Sequence, residues 1–261
     1  MYFDSCQQFL MDKFVSIIGL NGIPEVSETT DLVSEVLIAA KKQNTPISHG
    51  DILVVTQKVV SKSEGRVENL NDIEPSSFAL DYAAKWDKDA RLVELVLRES
   101  VRIVRMDNGI LITETTHGFI CANSGIDASN AGTNQTVVLL PINPDSSAAE
   151  IKKGVLQNSG KNVAVIISDT FGRPWREGAI NIAIGASGIE PLVDYRGEFD
   201  PDGRQLESTT IAVVDEIAAA SELVTHKLGR VPVSIVRGYS YAPSQNGIQA
   251  IIRDSTKDLF R

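Results

Sequence analysis

The chain has 261 residues, of which 43% are hydrophobic, so it is long enough for one large domain or two small ones with a buried core. Its 34 acidic side chains outnumber its 25 basic ones and give a formal charge of -9, which argues against a nonspecific nucleic-acid binder that uses a basic surface. An anionic substrate would instead need a few converging lysines and arginines, a divalent cation, or both.

Helices and strands are predicted along the whole chain. Apolar residues at helical spacing predict helices at residues 29–42, 90–100, 147–160 and 215–228. Short β-branched and aliphatic runs predict strands at 51–55, 101–105, 110–113, 118–122, 136–141, 163–168, 179–186, 209–214 and 233–237. The strands between 101 and 122 are too close for crossover helices, so they must be antiparallel if they pair in sequence order. We therefore expect an α+β protein with mixed parallel and antiparallel sheets and flanking helices.

The ends of the chain and its cysteines indicate a cytoplasmic protein. No apolar run reaches the roughly 18 residues of a membrane span, and the opening MYFDSCQQFLMDKF lacks the basic and long apolar regions of a secretion signal. Cys6 and Cys121 have no metal-ligand spacing, and we expect free thiols rather than a disulfide. We expect no membrane and no nucleic-acid partner.

The first polar cluster is TQKVVSKSEGR at residues 56–66, directly after a predicted strand. We interpret it as a loop in which hydroxyls, Lys62 and Arg66 could hold phosphate oxygens. A solvated surface turn is the alternative. It is not a phosphate loop of the GxxxxGK[ST] type, because that pattern is missing from the sequence.

Two aspartates each follow a predicted core strand. Asp127 lies in CANSGIDASNAG (121–132), whose small residues let the backbone approach a ligand, although an Asx-capped turn explains the same pattern. Asp169 follows VAVIIS, and we interpret Ser168 as the end of that strand. If the two strands lie side by side, the carboxylates can meet, and such hard oxygen ligands suit Mg²⁺ or Mn²⁺ bridging phosphates.

The last cluster, YRGEFDPDGRQLES at 195–208, is first of all a turn. Its Arg196 and Arg204 could bind a carboxylate or phosphate, but exposed arginines are common. The three histidines have no zinc spacing, and no nucleophile elbow of the GxSxG type occurs.

Taken in order, the motifs resemble one family. GDILVVTQKVVSKSEGR, NSGIDASN, VIISDTFGRPWREG, DGRQLE, VVDEIAAASELV and VPVSIVRG are similar to the coenzyme F420:L-glutamate ligases, from about residue 13 to residue 238. The resemblance implies a GTP-dependent ligase that adds L-glutamate to the lactyl carboxylate of the deazaflavin F420 precursor through an acyl phosphate and then extends it with γ-linked glutamates.

The resemblance also implies the assembly and the cofactors. It implies the unusual fold of that family in an intertwined homodimer, with residues 1–261 as one catalytic unit of two interleaved subdomains. Two divalent cations, Mn²⁺ or Mg²⁺, and K⁺ are implied as cofactors. Residues 1–12 resemble an N-terminal extension, with Met11 as an alternative start.

The resemblance also implies which residues form the site, because positions of this sequence match the motifs of the family. The resemblance implies cation ligands at Asp127, Asp169 and Thr170. In the mechanism that these residues would support, Lys62 and Arg173 offset the developing negative charge. The resemblance implies nucleotide contacts at Ile23, Pro24, Glu25, Val26, Gln57, Lys58, Lys62 and Asn130. This chain departs from the family in two places. It reads VTHKLGR (224–230) where relatives often have a Gly/Glu-rich loop with a ligand for the second cation, and Gln57 and Lys58 replace small hydroxylated residues of some relatives.

Two other classes of function fit the same residues. A metal-dependent phosphohydrolase would use the same aspartates with water as the acceptor, and would release phosphate without glutamate. A non-catalytic subunit that binds a nucleotide or deazaflavin would leave its ligand unchanged in mass.

Overall fold

The computed structural model describes residues 14–129 and 135–258. The proposed extension at 1–12, Cys6 and Asn130 lie outside these residues. The strands are β1 (Ser16–Gly19), β2 (Ile52–Thr56), β3 (Val67–Asn69), β4 (Ser100–Asp107), β5 (Ile110–Thr115), β6 (Ile120–Ala122), β7 (Thr136–Val138), β8 (Ala164–Arg173), β9 (Arg176–Ser187), β10 (Leu192–Asp194), β11 (Thr210–Ala212) and β12 (Val233–Arg237). The α-helices are α1 (Leu32–Lys42), α2 (Gln57–Ser63), α3 (Ser77–Trp86), α4 (Ala90–Arg98), α5 (Pro144–Ser159) and α6 (Val213–Thr225).

The largest sheet has five strands in the order β1-β12-β2-β8-β9. Strands β2 and β8 are parallel, and the other neighbours in this sheet are antiparallel. The apolar runs of the central strands are buried almost without interruption, as expected for strands covered on both faces. The predicted mixture of parallel and antiparallel pairing in an α+β protein is thus confirmed.

Helices cover this sheet and close the main core. Helix α5 packs on β8 and β9, and α1 packs on α5; helix α6 packs against β9, β1 and β12. Leu53, Ile166 and Ile235, from the three central strands, are fully buried in this core. Each such side chain contributes about 1.5–3 kcal/mol when it is removed from water.

Three smaller sheets surround the main sheet. Strands β4, β5 and β6 form an antiparallel sheet, which confirms the pairing predicted between 101 and 122. The pairs β3–β7 and β10–β11 are also antiparallel. Helices α3 and α4 pack together over a separate small core that includes Tyr82, Val96 and Leu111.

Several predicted boundaries were wrong. Residues 57–63 form helix α2, not a loop, because Gln57 and Val60 turn inward onto the core. The buried run ends at Ser168, but β8 continues to Arg173 because β9 pairs with it throughout. The strand predicted at 209–214 ends at Ala212, and α6 begins at the next residue, Val213. The prediction also missed β1, β3, α3 and β10.

Among the described helices, none combines the length and the apolar character that crossing a lipid bilayer requires.

Candidate active site

The parallel pairing of β2 and β8 brings two of the predicted clusters to one edge of the sheet. Thr56, the last residue of β2, is in register with Ser168 of β8. The next residues along the chain are Gln57, which begins helix α2, and Asp169. Carboxyl ends of parallel strands are a common place for ligand sites in α/β sheets.

Asp127 reaches this edge from the loop after β6. Its Oδ2 lies 3.0 Å from Nζ of Lys58, and its Oδ1 accepts a 2.9 Å hydrogen bond from the Ser129 N–H. The Lys58 ammonium also donates to Oγ of Ser129 at 2.8 Å. Burial alone would raise the pKa of Asp127, but the hydrogen bonds from Ser129 and Lys58 outweigh burial and lower that pKa.

The small sheet of β6 is held against β8 by aromatic packing. The ring of Phe119 makes an edge-to-face contact with Phe171 at a centroid distance of 6.2 Å. This contact places the loop of Asp127 near β8, close enough for its negative charge to act on Asp169. Strands β6 and β8 belong to different sheets and do not pair, so the condition under which the carboxylates were expected to meet is not fulfilled. The charge of Asp127 nevertheless acts on Asp169.

Asp169 is held in a partly desolvated position. Burial is the main reason that its pKa rises to about 6, and the charge of Asp127 adds to the rise. Two groups lower the pKa of Asp169: the Thr170 N–H, which donates to Oδ1 at 2.8 Å, and the Lys227 ammonium. A bulge in the β8–β9 pairing between Ile167 and Ser168 immediately precedes this carboxylate, a position where bulges often redirect functional side chains.

Thr170 is exposed beside Asp169 and is tied to the neighbouring strand. Its hydroxyl donates a 2.7 Å hydrogen bond to Oδ1 of Asn181, its register partner on β9. Asn181 in turn donates to Oε2 of Glu222 on α6 at 3.0 Å. The sequence offered a signal for Asn181, since it is a polar residue inside the apolar run AINIAIGA, but we did not predict a role for it.

The GIPEV turn lies opposite helix α2. Ile23 and Val26 are buried in the main core, whereas Pro24 and Glu25 are exposed. The Glu25 carboxylate accepts a hydrogen bond from the Lys62 ammonium, and this contact lowers the pKa of Glu25. Of the four predicted nucleotide contacts in this turn, only Pro24 and Glu25 have side chains available to a ligand.

Gln57 occupies a structural position. Its side chain is only 3% exposed, and its amide group donates to Oγ of Ser61 at 2.7 Å and to the Leu139 carbonyl at 2.8 Å. Both amide hydrogens are therefore used inside the protein. The side chain is unavailable for the predicted nucleotide contact.

Arg173 is not brought to the aspartates. Its guanidinium donates to the carbonyls of Glu177 at 2.8 Å and Gly178 at 3.2 Å, and so joins the two sides of the β8–β9 hairpin. Along an extended strand, its Cα lies about 13 Å from that of Asp169. The geometry gives no support to the predicted charge neutralisation by Arg173.

Two cations near the site come from the segment after α6. Lys227 lies close enough to lower the pKa of Asp169, and the charge of Arg230 lowers that of Glu25. His226 and Arg230 have φ values of 49° and 52°, so this segment turns sharply. The departure VTHKLGR was noted in the sequence, but the approach of Lys227 to Asp169 was not predicted.

The remaining candidates have structural explanations. Cys121 is a buried free thiol whose pKa burial and the Asp169 charge raise to about 12, so it is neither a nucleophile nor a thiolate ligand at neutral pH. In the last cluster, Arg196 pairs with Asp194 at 2.6 Å in the β10–β11 turn. Arg204 lies in the same exposed turn, where its N–H binds Oδ1 of Asp200 at 2.8 Å.

The oxygen atoms at this edge fit a hard divalent cation. Asp127 and Asp169 provide carboxylates, whereas the hydroxyl of Thr170, the next residue of β8, is bonded to Asn181. A cation would also offset the desolvated charge of Asp169. Within 14–129 and 135–258, no group of three or more His, Cys, Asp or Glu side chains is arranged to hold a metal. Mg²⁺ commonly uses one or two carboxylates and takes its other ligands from phosphates and water, so two carboxylates suffice.

Comparisons with known proteins identify the family of this chain. The family model described as F420-0:Gamma-glutamyl ligase matches residues 22–238. A protein of Methanothermobacter thermautotrophicus named Coenzyme F420:L-glutamate ligase is 42% identical over 250 residues, which cover 95% of this chain and 99% of the relative. Proteins of the same name from Methanocaldococcus jannaschii (44% over 218 residues, 83% and 86%) and Methanopyrus kandleri (42% over 224 residues, 84% and 88%) are also similar. The chain therefore belongs to the F420-0:gamma-glutamyl ligase family.

Proposed function

We propose that the protein is an acid–amino-acid ligase that joins L-glutamate to the coenzyme F420 precursor. Family membership and the names of its relatives support the reaction. The observation that carries it is the 3.0 Å ion pair of Lys58 with Asp127, beside an Asp169 that follows the parallel pair of β2 and β8 and feels the Asp127 charge. An edge with two carboxylates and a lysine suits a reaction in which phosphate groups must be gathered and neutralised.

The proposed chemistry has two steps. A carboxylate of the precursor attacks the γ-phosphorus of GTP, the bond to the β–γ bridging oxygen breaks, and GDP leaves. The amino nitrogen of glutamate, after losing a proton, then attacks the carbonyl carbon of the acyl phosphate, and the C–O bond to phosphate breaks. The products are the amide, GDP and phosphate. Repetition at the γ-carboxylate of the added glutamate would extend the tail.

The chain contributes mainly position and charge. Asp127, Asp169 and the Thr170 hydroxyl would hold the divalent cations, Mn²⁺ or Mg²⁺, which when bound neutralise phosphate oxygens. Lys58 and Lys62 would exchange their present partners, Asp127 and Glu25, for phosphate oxygens. Because both lysines project from one helix, their ammonium groups are placed in advance, which lowers the entropic cost of binding the nucleotide.

Other properties are proposed on family resemblance. These are the use of GTP, a second divalent cation, activation by K⁺, an intertwined homodimer of interleaved subdomains in the unusual fold of the family, a nucleotide contact at Asn130, and a cytoplasmic location. In this chain, Lys227 lies close to Asp169, in the VTHKLGR segment that replaces a loop in which relatives often have a ligand for the second cation. We propose that the positive charge of Lys227 neutralises part of the phosphate charge that the second cation would otherwise neutralise.

The test is mass spectrometry of the deazaflavin precursor after incubation with the protein, GTP, L-glutamate, Mn²⁺ and K⁺. We expect products that are heavier by one or more glutamyl residues, together with GDP. Matched reactions would replace GTP by ATP and omit glutamate or Mn²⁺. Hydrolysis of GTP with an unchanged precursor would instead indicate a phosphohydrolase, and tight binding without any mass change would indicate a binding subunit.

A further inference from the structure

Strand β9 carries one more residue than β8 where the two strands pass the candidate site. Ile167 is in register with Gly185, but the next residue, Ser168, is in register with Ala183. Ile184 is therefore the extra residue, and it makes a β-bulge opposite the end of the buried run of β8.

The bulge reverses the two faces of β9. In a regular strand, side chains four residues apart lie on the same face. A Cβ atom on Gly185 would lie 2.5 Å from the carbonyl oxygen of Pro144 on α5, whereas Asn181, four residues earlier, donates to Glu222 on α6 at 3.0 Å. The two positions face different helices, as expected when one extra residue lies between them.

The bulge also decides which residues of β9 lie beside the candidate site. Thr170 is in register with Asn181, whose amide oxygen accepts the Thr170 hydroxyl at 2.7 Å. Without the bulge, β9 would be displaced by one residue against this part of β8. Asn181 would then lie opposite Phe171, which alternation places on the same face as Asp169. The bulge thus keeps a polar amide off the face that carries the Asp169 carboxylate.

A carboxylate of helix α6 holds this bulge. Asp215, in the first turn of α6, accepts a 2.9 Å hydrogen bond from the N–H of Ala183, the residue next to Ile184. Beyond the bulge, the Ala186 N–H donates to Asp145 on α5 at 2.8 Å. Both N–H groups bond outside the sheet although they are three residues apart, and in a regular strand N–H groups on one side are an even number of residues apart. The two contacts therefore fit the bulged form of β9.

The place of Asp215 in its helix does not by itself explain the contact with β9. Acidic residues are common in the first turn of a helix, where they complement the helix dipole, and the neighbouring Glu216 is exposed, as such residues usually are. Asp215 is half-buried instead, and burial raises its pKa while the Ala183 N–H lowers it. This carboxylate is taken out of water to bind the backbone of β9.

We propose that Asp215 is a positioning residue that holds the Ala183 N–H, fixes the bulge and so sets the register in which β9 flanks Asp169 and Thr170. The inference rests on the proposed function, because that function gives the face of Asp169 its importance. It goes further by assigning the geometry of this face to a residue of α6 that acts only through β9.

The first test measures the register by nuclear magnetic resonance of the full-length protein without ligands. Asp215→Leu removes the acceptor at similar size, and Asp215→Asn keeps an acceptor oxygen. We expect Asp215→Leu to lose the nuclear Overhauser contacts between Thr170 and Asn181 and to speed the exchange of the Ala183 amide hydrogen. Asp215→Asn should keep both properties, as should Glu216→Leu, the matched control at the next, exposed position. Unchanged contacts and slow exchange in Asp215→Leu would overturn the proposal.

The second test separates positioning from loss of stability. In the ligation assay, Asp215→Leu should lower kcat at least about 10-fold, because a displacement of about 1 Å can cost that much or more. The affinity for GTP should not change, since the lysines proposed to bind it lie on α2. Asp215→Asn should restore kcat. A parallel loss of kcat and GTP affinity, in proportion to the unfolded fraction, would show a structural role only and would overturn the proposal, as would an unchanged kcat.

A second variant and the unaltered protein complete the test. If thermal unfolding shows that Asp215→Leu does not fold, Asp215→Ala decides, because a water molecule can fill the space and bond the Ala183 N–H. We expect it to show the same loss of contacts and of kcat. Failure of the proposed function is visible in the unaltered protein alone, which would then form no glutamyl product. The register test needs no reaction, so it supports or overturns the role of Asp215 in either case.

Discussion

Lys58 and Asp127 form a 3.0 Å ion pair that joins helix α2 to the loop after β6. The lysine lies on the helix that follows β2 of the main sheet, and the aspartate lies in the loop that follows the small three-stranded sheet, so the contact bridges two parts of the fold. Since a lysine expected to contact nucleotide holds a carboxylate expected to contact the cation, the two binding events should be coupled.

Lys58→Met should impair nucleotide binding far more than folding. Ion pairs with this exposure contribute only about 0.2–1 kcal/mol to stability, whereas a lost phosphate contact should weaken GTP binding at least about 10-fold. Lys153→Met, which removes the exposed pair with Glu150 on α5, is the matched control. Calorimetric titration with GTP and Mn²⁺ measures the effect, and equal GTP affinities for the two variants would contradict it.

Asp169→Asn should abolish ligation while leaving a folded protein. The amide keeps the size of the side chain but cannot supply the charge that a divalent cation needs, so we expect product formation to fall at least about 100-fold. The control is Asp194→Asn, which alters a carboxylate in the β10–β11 turn. Mass spectrometry of the glutamylated product measures this fall in product formation. Full Mn²⁺-dependent activity of Asp169→Asn would exclude this carboxylate as a ligand.

The stability of the metal-free protein should depend on the ionisation of Asp169. Its pKa in the folded protein is raised to about 6, so the folded state holds this proton more tightly than the unfolded state does. The resulting stabilisation is fully present at pH values below 3.8, the ordinary pKa of an aspartate, and it is lost as the pH rises through about 6.

Urea unfolding in a chelator measures this effect. The free energy of unfolding of the unaltered protein, minus that of Asp169→Asn, should fall between pH 4 and pH 7 and then level off, a window set by the raised pKa of about 6. Lys227→Met should raise the pKa further and move the decline to higher pH, because this ammonium lowers it. A difference that rises with pH would contradict the assignment.

Gln57→Leu should destabilise the protein without a specific loss of GTP affinity. The change leaves the Leu139 carbonyl and the Ser61 hydroxyl without their buried donor, at a cost of about 1–3 kcal/mol. Gln205→Leu, in an exposed turn, is the control. Urea unfolding and GTP titration together test the role, and normal stability with weakened GTP binding would restore Gln57 as a nucleotide contact.

Arg237→Met should be the most damaging of these changes to stability. Asp51 is 1% exposed and accepts two hydrogen bonds, at 2.8 and 2.7 Å, from the Arg237 guanidinium. Leaving this carboxylate unpaired should cost about 3 kcal/mol, at the lower end for buried pairs because Arg237 retains partial exposure. Arg105→Met, which breaks an exposed pair, should cost under about 1 kcal/mol. Equal urea midpoints for the two variants would refute this difference.

The sequence predicted the strands and helices whose apolar residues follow a clear pattern. The apolar runs of β2, β8 and β12 and the amphipathic α4 were found because one pattern extends over most of each element. Helix α2 was missed because QKVVSKS is short and rich in residues common in turns, and its helical form depends on Gln57 finding a partner at Leu139. That contact lies 82 residues away and no local pattern contains it.

The sequence predicted the part of the candidate site that a local pattern marks. Asp127 and Asp169 stood out because each follows an apolar run. The small sheet that precedes Asp127 lies against β8 through the packing of Phe119 on Phe171, which periodicity does not reveal. The hydrogen bonds that join Thr170, Asn181 and Glu222, and the charge of Lys227 near Asp169, depend on how β9 and α6 lie against β8. The isolated polar residue in β9 is a local signal of this tertiary arrangement.

The position of β12 between β1 and β2 has a consequence for how the chain is made. During synthesis the ribosome releases β1 and β2 well before the strand that fills the gap between them, Val233–Arg237. Until that strand emerges both strands keep an open edge, and open edges invite pairing with other chains. The five-stranded sheet can therefore form only after Val233–Arg237 has been made, and nascent chains that stop before Val233 should be substrates for chaperones rather than partly active enzymes.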